Sequence, residues 1–518
     1  MTGLKNRYSF WIVCVGIFAV AIFSRLYLLG IRPVHHDEGM LSYFAWQLAE
    51  MKNYSYSPQI HGPILFYVQA VLFALFETSN FVVRLGPAIF GIILVAIPLS
   101  LYKAIGKPRA TAISLLILVS PMFLYFSRFL VHTSLVVVFY LGFIYFLRSF
   151  VVSPKPIPLY LASIFLALAF GVSEVTYILV AAIFASAAVS TLILGRKSFK
   201  YYKNIGQYFK ENSPDIVSAI LLFVLVWIAI YSVGFTNVAS LKTSIPNPFA
   251  KDTSLGFWLS QHDVRLGGQP WFYYLLLALS YEPIILLGSL FGLVDSIIKK
   301  NPFYLFVAWW AVFMLAIFSW AGEKFPWLFL PPLLPLTVLT GYYIGTNWKN
   351  FKVLSKIFWV AMAIISLFIS IRLNYINHTE TREMAVYVQT PLSFQKVIDK
   401  IEKDCKDSPD KNCVLIDQKI SWPLSWTFKD YSTLIYSENF TPQPSTKYIF
   451  MDVASISSMN AAKDWNSQQV QLREWWVPES CHKITCMPKY FEYFITRKVW
   501  NEKGGFDTTL LTPVKNGG

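Results

Sequence analysis

Apolar runs of about twenty residues, parted by short polar stretches, fill residues 1–373. A helix needs about 20 such residues to cross a bilayer. The pattern predicts eleven spans, at 9–29, 82–102, 110–127, 133–149, 157–173, 175–194, 214–234, 271–298, 302–321, 325–346 and 353–373. Lys5 and Arg7 precede the first run, only Arg25 interrupts it, and no small-residue cleavage site follows. That is an uncleaved span rather than a signal peptide. Two longer connections stand out, 30–81 and 235–270. Within the first, Leu41, Phe44, Ala45 and Leu48 recur at helical spacing, which predicts a helix over Glu38–Met51 lying along the interface, with Tyr43 and Trp46 as anchors. Beyond residue 373 the apolar runs shorten. Cys413–Asp417 and Tyr448–Asp452 read as buried strands and Glu383–Glu402 as a helix. The expected architecture is an all-α polytopic membrane domain over 1–373, with about eleven transmembrane helices, and a C-terminal extracytoplasmic α/β domain over 374–518.

Charge decides the orientation. The 518 residues are 55% hydrophobic and only 14% charged, against about 25% in a soluble domain. Residues 1–373 hold 27 Lys/Arg and 12 Asp/Glu, whereas 374–518 hold 17 of each, so the net +15 belongs to the membrane part. Basic loops mark the cytoplasmic face. The charge therefore points to a lipid bilayer and not to nucleic acid. The short apolar run Ile64–Phe76 is read as not spanning. Five loops on one side then carry fifteen basic residues and the opposite loops after the second span carry about five. This orientation places the N-terminus in the cytoplasm and puts loop 30–81 and the C-terminal domain outside a plasma membrane. Cys14 lies in the first span, and Cys405, Cys413, Cys481 and Cys486 lie in the C-terminal region. Four cysteines in one exported domain suggest two disulfides. Local pairing, Cys405–Cys413 and Cys481–Cys486, is the expectation; free thiols are the alternative, and the spacings do not suit zinc.

Ionisable groups near membrane spans are costly and usually face a cavity. In this topology Asp37, Glu38, Arg84, Arg128, His132, Glu174, Glu282, Glu323 and Lys324 all fall near the outer ends of spans. His35-His36-Asp37-Glu38 and His61-Gly62-Pro63 flank the predicted interfacial helix, and His262 sits in the second outer loop. Asp37 can act as a base or can cap the helix that starts there. Arg128, His132 and Lys324 can bind phosphate, while Arg84 can hold the Asp37 region or sit at the interface as a lipid-facing charge. A lone buried carboxylate such as Glu282 needs a partner, whereas Glu174 also reads as a turn residue. Neither a phosphate-binding glycine loop, nor His-Glu-x-x-His, nor a nucleophilic serine motif is present. No cofactor is expected; adjacent residues rarely share one metal ion without further ligands, so a divalent metal is possible but not favoured.

The acidic pair after the first span, the His61-Gly62-Pro63 that follows and Arg84-Leu85-Gly86-Pro87 resemble the GT-C glycosyltransferases, among them protein O-mannosyltransferases and lipid A aminoarabinose transferases. Gly62 departs from the proline those two branches carry there. The order of His36-Asp37-Glu38-Gly39, Gln269-Pro270-Trp271, Tyr281-Glu282, Glu323-Lys324, Trp422-Pro423 and Arg473-Glu474-Trp475-Trp476 is most similar to the flippase-activity-associated family linked to archaeal N-glycosylation. The resemblance implies a polyprenyl-phosphate-linked sugar as donor and a glycan, lipid or protein as acceptor. It also implies inversion at the anomeric carbon, with Asp37 as base and Glu38 beside it. His36, His61, Arg84, Arg128, His132, Glu174, His262, Glu282, Glu323 and Lys324 would then bind substrate. The alternative function is a lipid-linked glycan flippase, or a partner of one, without transfer activity.

Overall fold

A computed structural model describes residues 2–51, 54–261, 269–406, 412–435, 442–454, 465–478 and 484–514. The protein is a multi-pass membrane protein with a small sheet domain. Among the described residues, eight helices are long and apolar enough to cross a bilayer: Ser9–Leu26, Asn80–Ser100, His132–Val152, Thr176–Glu211, Ser213–Tyr231, Pro302–Trp320, Pro326–Asn347 and Val353–Ile376. Three further expected spans take other forms. Pro156–Val172 is a helix of 17 residues. The run 110–127 breaks at Ser120-Pro121 into Lys107–Val119 and Pro121–Phe126. The run 271–298 breaks at Glu282-Pro283 into Tyr273–Tyr281 and Pro283–Lys299, bent by 112°. Proline has no N–H and clashes with the preceding turn, so each break falls where the chain must leave the helix. Ile64–Leu75 is a helix of 12 residues. At 1.5 Å per residue it extends roughly 18 Å, short of a hydrocarbon core of about 30 Å.

The chain divides into two compact units. The membrane unit comprises Met1–Leu28, Tyr54–Val68 and Arg84–Ile376. The sheet unit comprises Leu29–Asn53, Gln69–Val83 and Asn377–Gly518. The division differs from a single cut at residue 373, because much of the 30–81 loop folds with the C-terminal region. Apolar packing explains it: Phe73 stacks on Trp426 at 5.2 Å, and Tyr43 and Phe44 meet Trp422 at 5.3 and 5.8 Å. The helix His36–Met51 is thus partly buried by protein, not lipid alone.

The sheet has five strands: β1 (Val414–Asp417), β2 (Ser432–Ile435), β3 (Tyr448–Asp452), β4 (Trp465–Trp475) and β5 (Gly504–Pro513). Their order is β2-β1-β3-β5-β4. β1 pairs in parallel with β2 and β3, and β5 runs antiparallel to β3 and β4. One face packs Val414, Ile416 and Phe450 against Phe394, Ile398 and Ile401 of the helix Leu392–Cys405. That helix starts nine residues later than the sequence suggests, since Pro391 fixes its entry and Gln389 instead bridges to Glu474 in β4. Cys405 and Cys413 form a disulfide with Cα atoms 5.9 Å apart. Cys486 is disulfide-bonded as well; its expected partner, Cys481, lies outside the described residues.

Candidate active site

The sheet unit holds the acidic pair. The helix His36–Met51 begins with both carboxylates in its first turn, where free backbone N–H groups need acceptors. Two neighbours supply them. His35 Nδ1 accepts from the Asp37 N–H at 3.0 Å, and Glu38 Oε2 accepts from the His35 N–H at 3.1 Å. This is a reciprocal capping box with histidine in place of serine or threonine. His35 Nε2 lies 2.7 Å from the Tyr387 carbonyl. A carbonyl only accepts, so Nε2 carries the proton and Nδ1 the lone pair. Both nitrogens are committed, which removes His35 as a metal ligand. Burial lowers the basicity of this imidazole, consistent with its neutral form.

Glu38 is fully buried and faces Arg32 at 3.6 Å. It is a structural carboxylate in this arrangement, although the sequence groups it with Asp37 as catalytic. Asp37 stands apart. Its side chain is 28% exposed, and its oxygens lie 3.9 Å from His35 Nδ1 and from His36 Nε2. His36 Nδ1 is 3.3 Å from the Trp422 carbonyl, so Nδ1 donates, and the Nε2 lone pair, 3.9 Å from an Asp37 oxygen, makes no hydrogen bond to the carboxylate. Burial depresses the His36 imidazole to about 4, against the pull of Asp37. Gly39 permits the approach: a Cβ there would lie 2.8 Å from the Pro423 Cα. The Trp422 carbonyl also accepts from Arg473 Nη2 at 2.7 Å.

The membrane unit holds a second cluster, and here His61, His132 and Glu174 come together. Tyr56 Oη donates to Glu174 Oε1 at 2.6 Å, and His61 Nδ1 lies 3.0 Å from Glu174 Oε2. The His61 ring stacks on Trp258 at 4.6 Å and 4°, with His132 at 3.7 Å on its own account. Burial pushes the Glu174 carboxyl up to about 8, opposed by the Tyr56 hydrogen bond. Gly62 makes the contact possible. Its N–H donates to the Val172 carbonyl at 3.1 Å, and a Cβ would lie 2.2 Å from the Gly171 oxygen. Backbone cannot yield as a side chain can, so this approach requires glycine at position 62.

Other expected ligands are committed to helix ends. Arg128 does not stand open to phosphate: its Nη1 donates to the Ser24, Arg25 and Tyr27 carbonyls and its Nη2 to Leu28, at 2.7–3.2 Å. It caps the C-terminus of the first helix, where unpaired carbonyls attract a cation. Glu282 Oε1 accepts from Ser120 Oγ and from the Met122 N–H at 2.9 Å. It caps Pro121–Phe126, so the break in one span is satisfied by a carboxylate from the break in another. Arg84 is fully buried within Asn80–Ser100. Lys324 is buried in the turn before Pro326, donates to the Ala321 carbonyl at 2.5 Å, and has its basicity lowered by burial. Glu323 adjoins it. His262 lies outside the described residues. Sequence reasoning gave no role to Arg32, Trp422 and Arg473 in one cluster or to Tyr56 and Trp258 in the other, and named His35 only as part of its motif. The Trp422-Pro423 and Arg473 motifs were visible, but nothing local assigned them to Asp37.

Residues 60–209 match a sequence family described as dolichyl-phosphate-mannose-protein mannosyltransferase. No curated protein matches the chain by sequence. ArnT from Cupriavidus metallidurans bound to undecaprenyl phosphate is similar at a TM-score of 0.59 and 13% identity, over 98% of each chain. Its apo form gives 0.60 and 12%, over 91% of this chain and 97% of that one. The oligosaccharyltransferase of Archaeoglobus fulgidus in its apo form gives 0.53 and 15%, over 87% of this chain and 70% of that one. The chain therefore shares the fold of ArnT and of the oligosaccharyltransferase.

Proposed function

We propose that the protein is an inverting glycosyltransferase that moves a sugar from a polyprenyl-phosphate donor to an acceptor hydroxyl, with Asp37 as general base. One observation carries the assignment of the base. Of the two adjacent carboxylates, Glu38 is buried in the cap and Arg32 pair, while Asp37 retains a partly exposed side chain beside two neutral imidazoles. Capping does not consume it. The match to a dolichyl-phosphate-mannose family and the fold shared with an undecaprenyl-phosphate-binding protein support the donor class.

In the reaction the acceptor oxygen forms a bond to the anomeric carbon as its proton passes to Asp37. The bond from that carbon to the phosphate oxygen breaks, and its electron pair stays on the lipid phosphate. That leaving group is already anionic and needs cationic stabilisation rather than an acid. The fifteen-to-five distribution of basic residues supports a cytoplasmic N-terminus and an acceptor arriving from outside. In this reading the sheet unit presents the base.

The test is release of lipid phosphate when purified full-length protein meets polyprenyl-phosphate sugars and a hydroxyl acceptor. Asp37→Asn keeps the shape and loses the proton acceptor, so turnover should fall roughly 10²–10⁴-fold with thermal stability unchanged. Near-normal turnover in that variant overturns the base. Transbilayer movement of the intact lipid-linked sugar, with no lipid phosphate released by the native protein, would identify a translocator instead.

A further inference from the structure

We infer that Arg473, on β4 of the sheet unit, is an anion-binding residue of the Asp37 site whose Nε edge takes an oxygen of the donor's lipid phosphate. The inference rests on the transferase reading above and names a substrate contact that reading leaves open.

Four observations point to it. First, Arg473 and His36 converge on one atom: the Trp422 carbonyl accepts from Arg473 Nη2 at 2.7 Å and from His36 Nδ1 at 3.3 Å. A guanidinium from near the end of the chain is thereby tied to the residue before Asp37. Second, β4 is irregular at this point. Its register against β5 shifts between Gln471 and Arg473, and such bulges re-aim a side chain. Third, the guanidinium lies over the Phe506 ring at 5.2 Å, which orients the fork. Fourth, Arg473 Nε is shielded from solvent and has no hydrogen-bond partner among the described residues. A shielded cationic donor without an acceptor is costly, and a planar guanidinium suits phosphate oxygens.

The charge balance favours a phosphate over a neutral acceptor group. His35 and His36 are neutral, and Glu38 is matched by Arg32. Asp37 and Arg473 remain as opposite charges that act on each other, and burial lowers the guanidinium only to about 10, so it stays cationic at neutral pH. When Asp37 takes the acceptor's proton, its negative charge disappears. In the same step the lipid phosphate gains one. The cation that balanced the base then balances the leaving group, an interaction stronger in the transition state than in the ground state.

The experiment measures equilibrium binding of undecaprenyl phosphate, the product form of such a donor, to full-length protein in detergent, with thermal stability followed in parallel. Loss of a charged hydrogen bond should weaken binding of this probe about tenfold to a hundredfold in Arg473→Gln. Arg473→Lys should retain an intermediate affinity. Arg473→Ala should regain binding and turnover when guanidinium is added below denaturing concentration, which a purely structural role would not produce. Unchanged affinity in folded Arg473→Gln overturns the inference. Should that variant unfold, an Arg473→Lys protein that folds and binds like the native one overturns it instead. Asp37→Asn separates the two readings. If it abolishes turnover while Arg473→Gln binds normally, only the phosphate contact fails. If it leaves turnover intact, the base fails whatever Arg473 does.

Discussion

Glu38→Gln should damage stability where Asp37→Asn damages turnover, although the two residues are adjacent. Glutamine still accepts from the His35 N–H, so the cap at 3.1 Å largely survives. The charge opposite Arg32 does not. Both members of that pair are nearly sealed from solvent, at 6% and 0% exposure and 3.6 Å apart. Removing one partner of a buried pair strands the other, at a cost of about 3–5 kcal/mol. At about 2–4 °C per kcal/mol for a unit of this size, the midpoint should drop roughly 6–20 °C. Glu38→Ala should fall about 1 kcal/mol further, because the cap goes too. Thermal unfolding of detergent-purified protein measures the shift, and lipid-phosphate release at a temperature where the variant is folded measures activity per folded molecule. A Glu38→Gln protein as stable as the native one but inactive would refute this division and return Glu38 to the chemistry.

Gly62→Ala should separate His61 from Glu174, since the new methyl would collide with the Gly171 carbonyl; a loss of about 1–3 kcal/mol is expected, and a native midpoint would count against the close approach. The Glu174 carboxyl is raised from 4.5 to about 8 in the folded protein, so its contribution is full below about 4.5 and lost as pH rises through 8; Glu174→Gln should flatten that part of the stability profile. His36 is depressed to about 4, so its contribution is full above about 6.5 and fades as pH falls toward 4; midpoints that do not decline over that range would contradict a neutral His36. Cys405→Ala with Cys413→Ala opens a loop of sequence separation 8 and should cost about 2.5 kcal/mol by loop-closure entropy, read as a lower urea midpoint without reductant.

The membrane spans were legible because twenty apolar residues in a row have few other uses. Their breaks were less so. Pro121 and Pro283 lie in plain view, yet a hydropathy window averages over them, and only the structure shows Glu282 reaching the Met122 N–H and the Ser120 hydroxyl. In the sheet, β1 and β3 stood out as buried apolar runs, whereas β4 is mostly polar and half exposed and left no such trace. The HHDE motif puts two carboxylates side by side, and chemistry alone could not tell which of them caps the helix. Which one caps depends on His35 occupying the position usually held by serine. Arg128 shows a related difficulty: a cation near a span end reads as a phosphate ligand, while its contacts with carbonyls at the end of a helix a hundred residues away leave no local trace. Arg473 was out of reach, since its relation to Asp37 spans more than four hundred residues of sequence.

The composition of the sheet unit has a consequence for biogenesis. Its early pieces end at Asn53 and Val83, and its main part begins at Asn377. At roughly 5–20 residues per second of synthesis, Leu29–Asn53 waits roughly 16–65 s for the strands on which it folds, while the membrane helices between are inserted. Throughout that interval Phe44 and Tyr43 lack Trp422 as a partner. An apolar, aromatic segment held at a membrane surface for that long needs shelter from misassembly, and lipid headgroups or an insertion chaperone must supply it. Truncation before Trp422 should therefore leave Leu29–Asn53 protease-sensitive even though every membrane helix has been made.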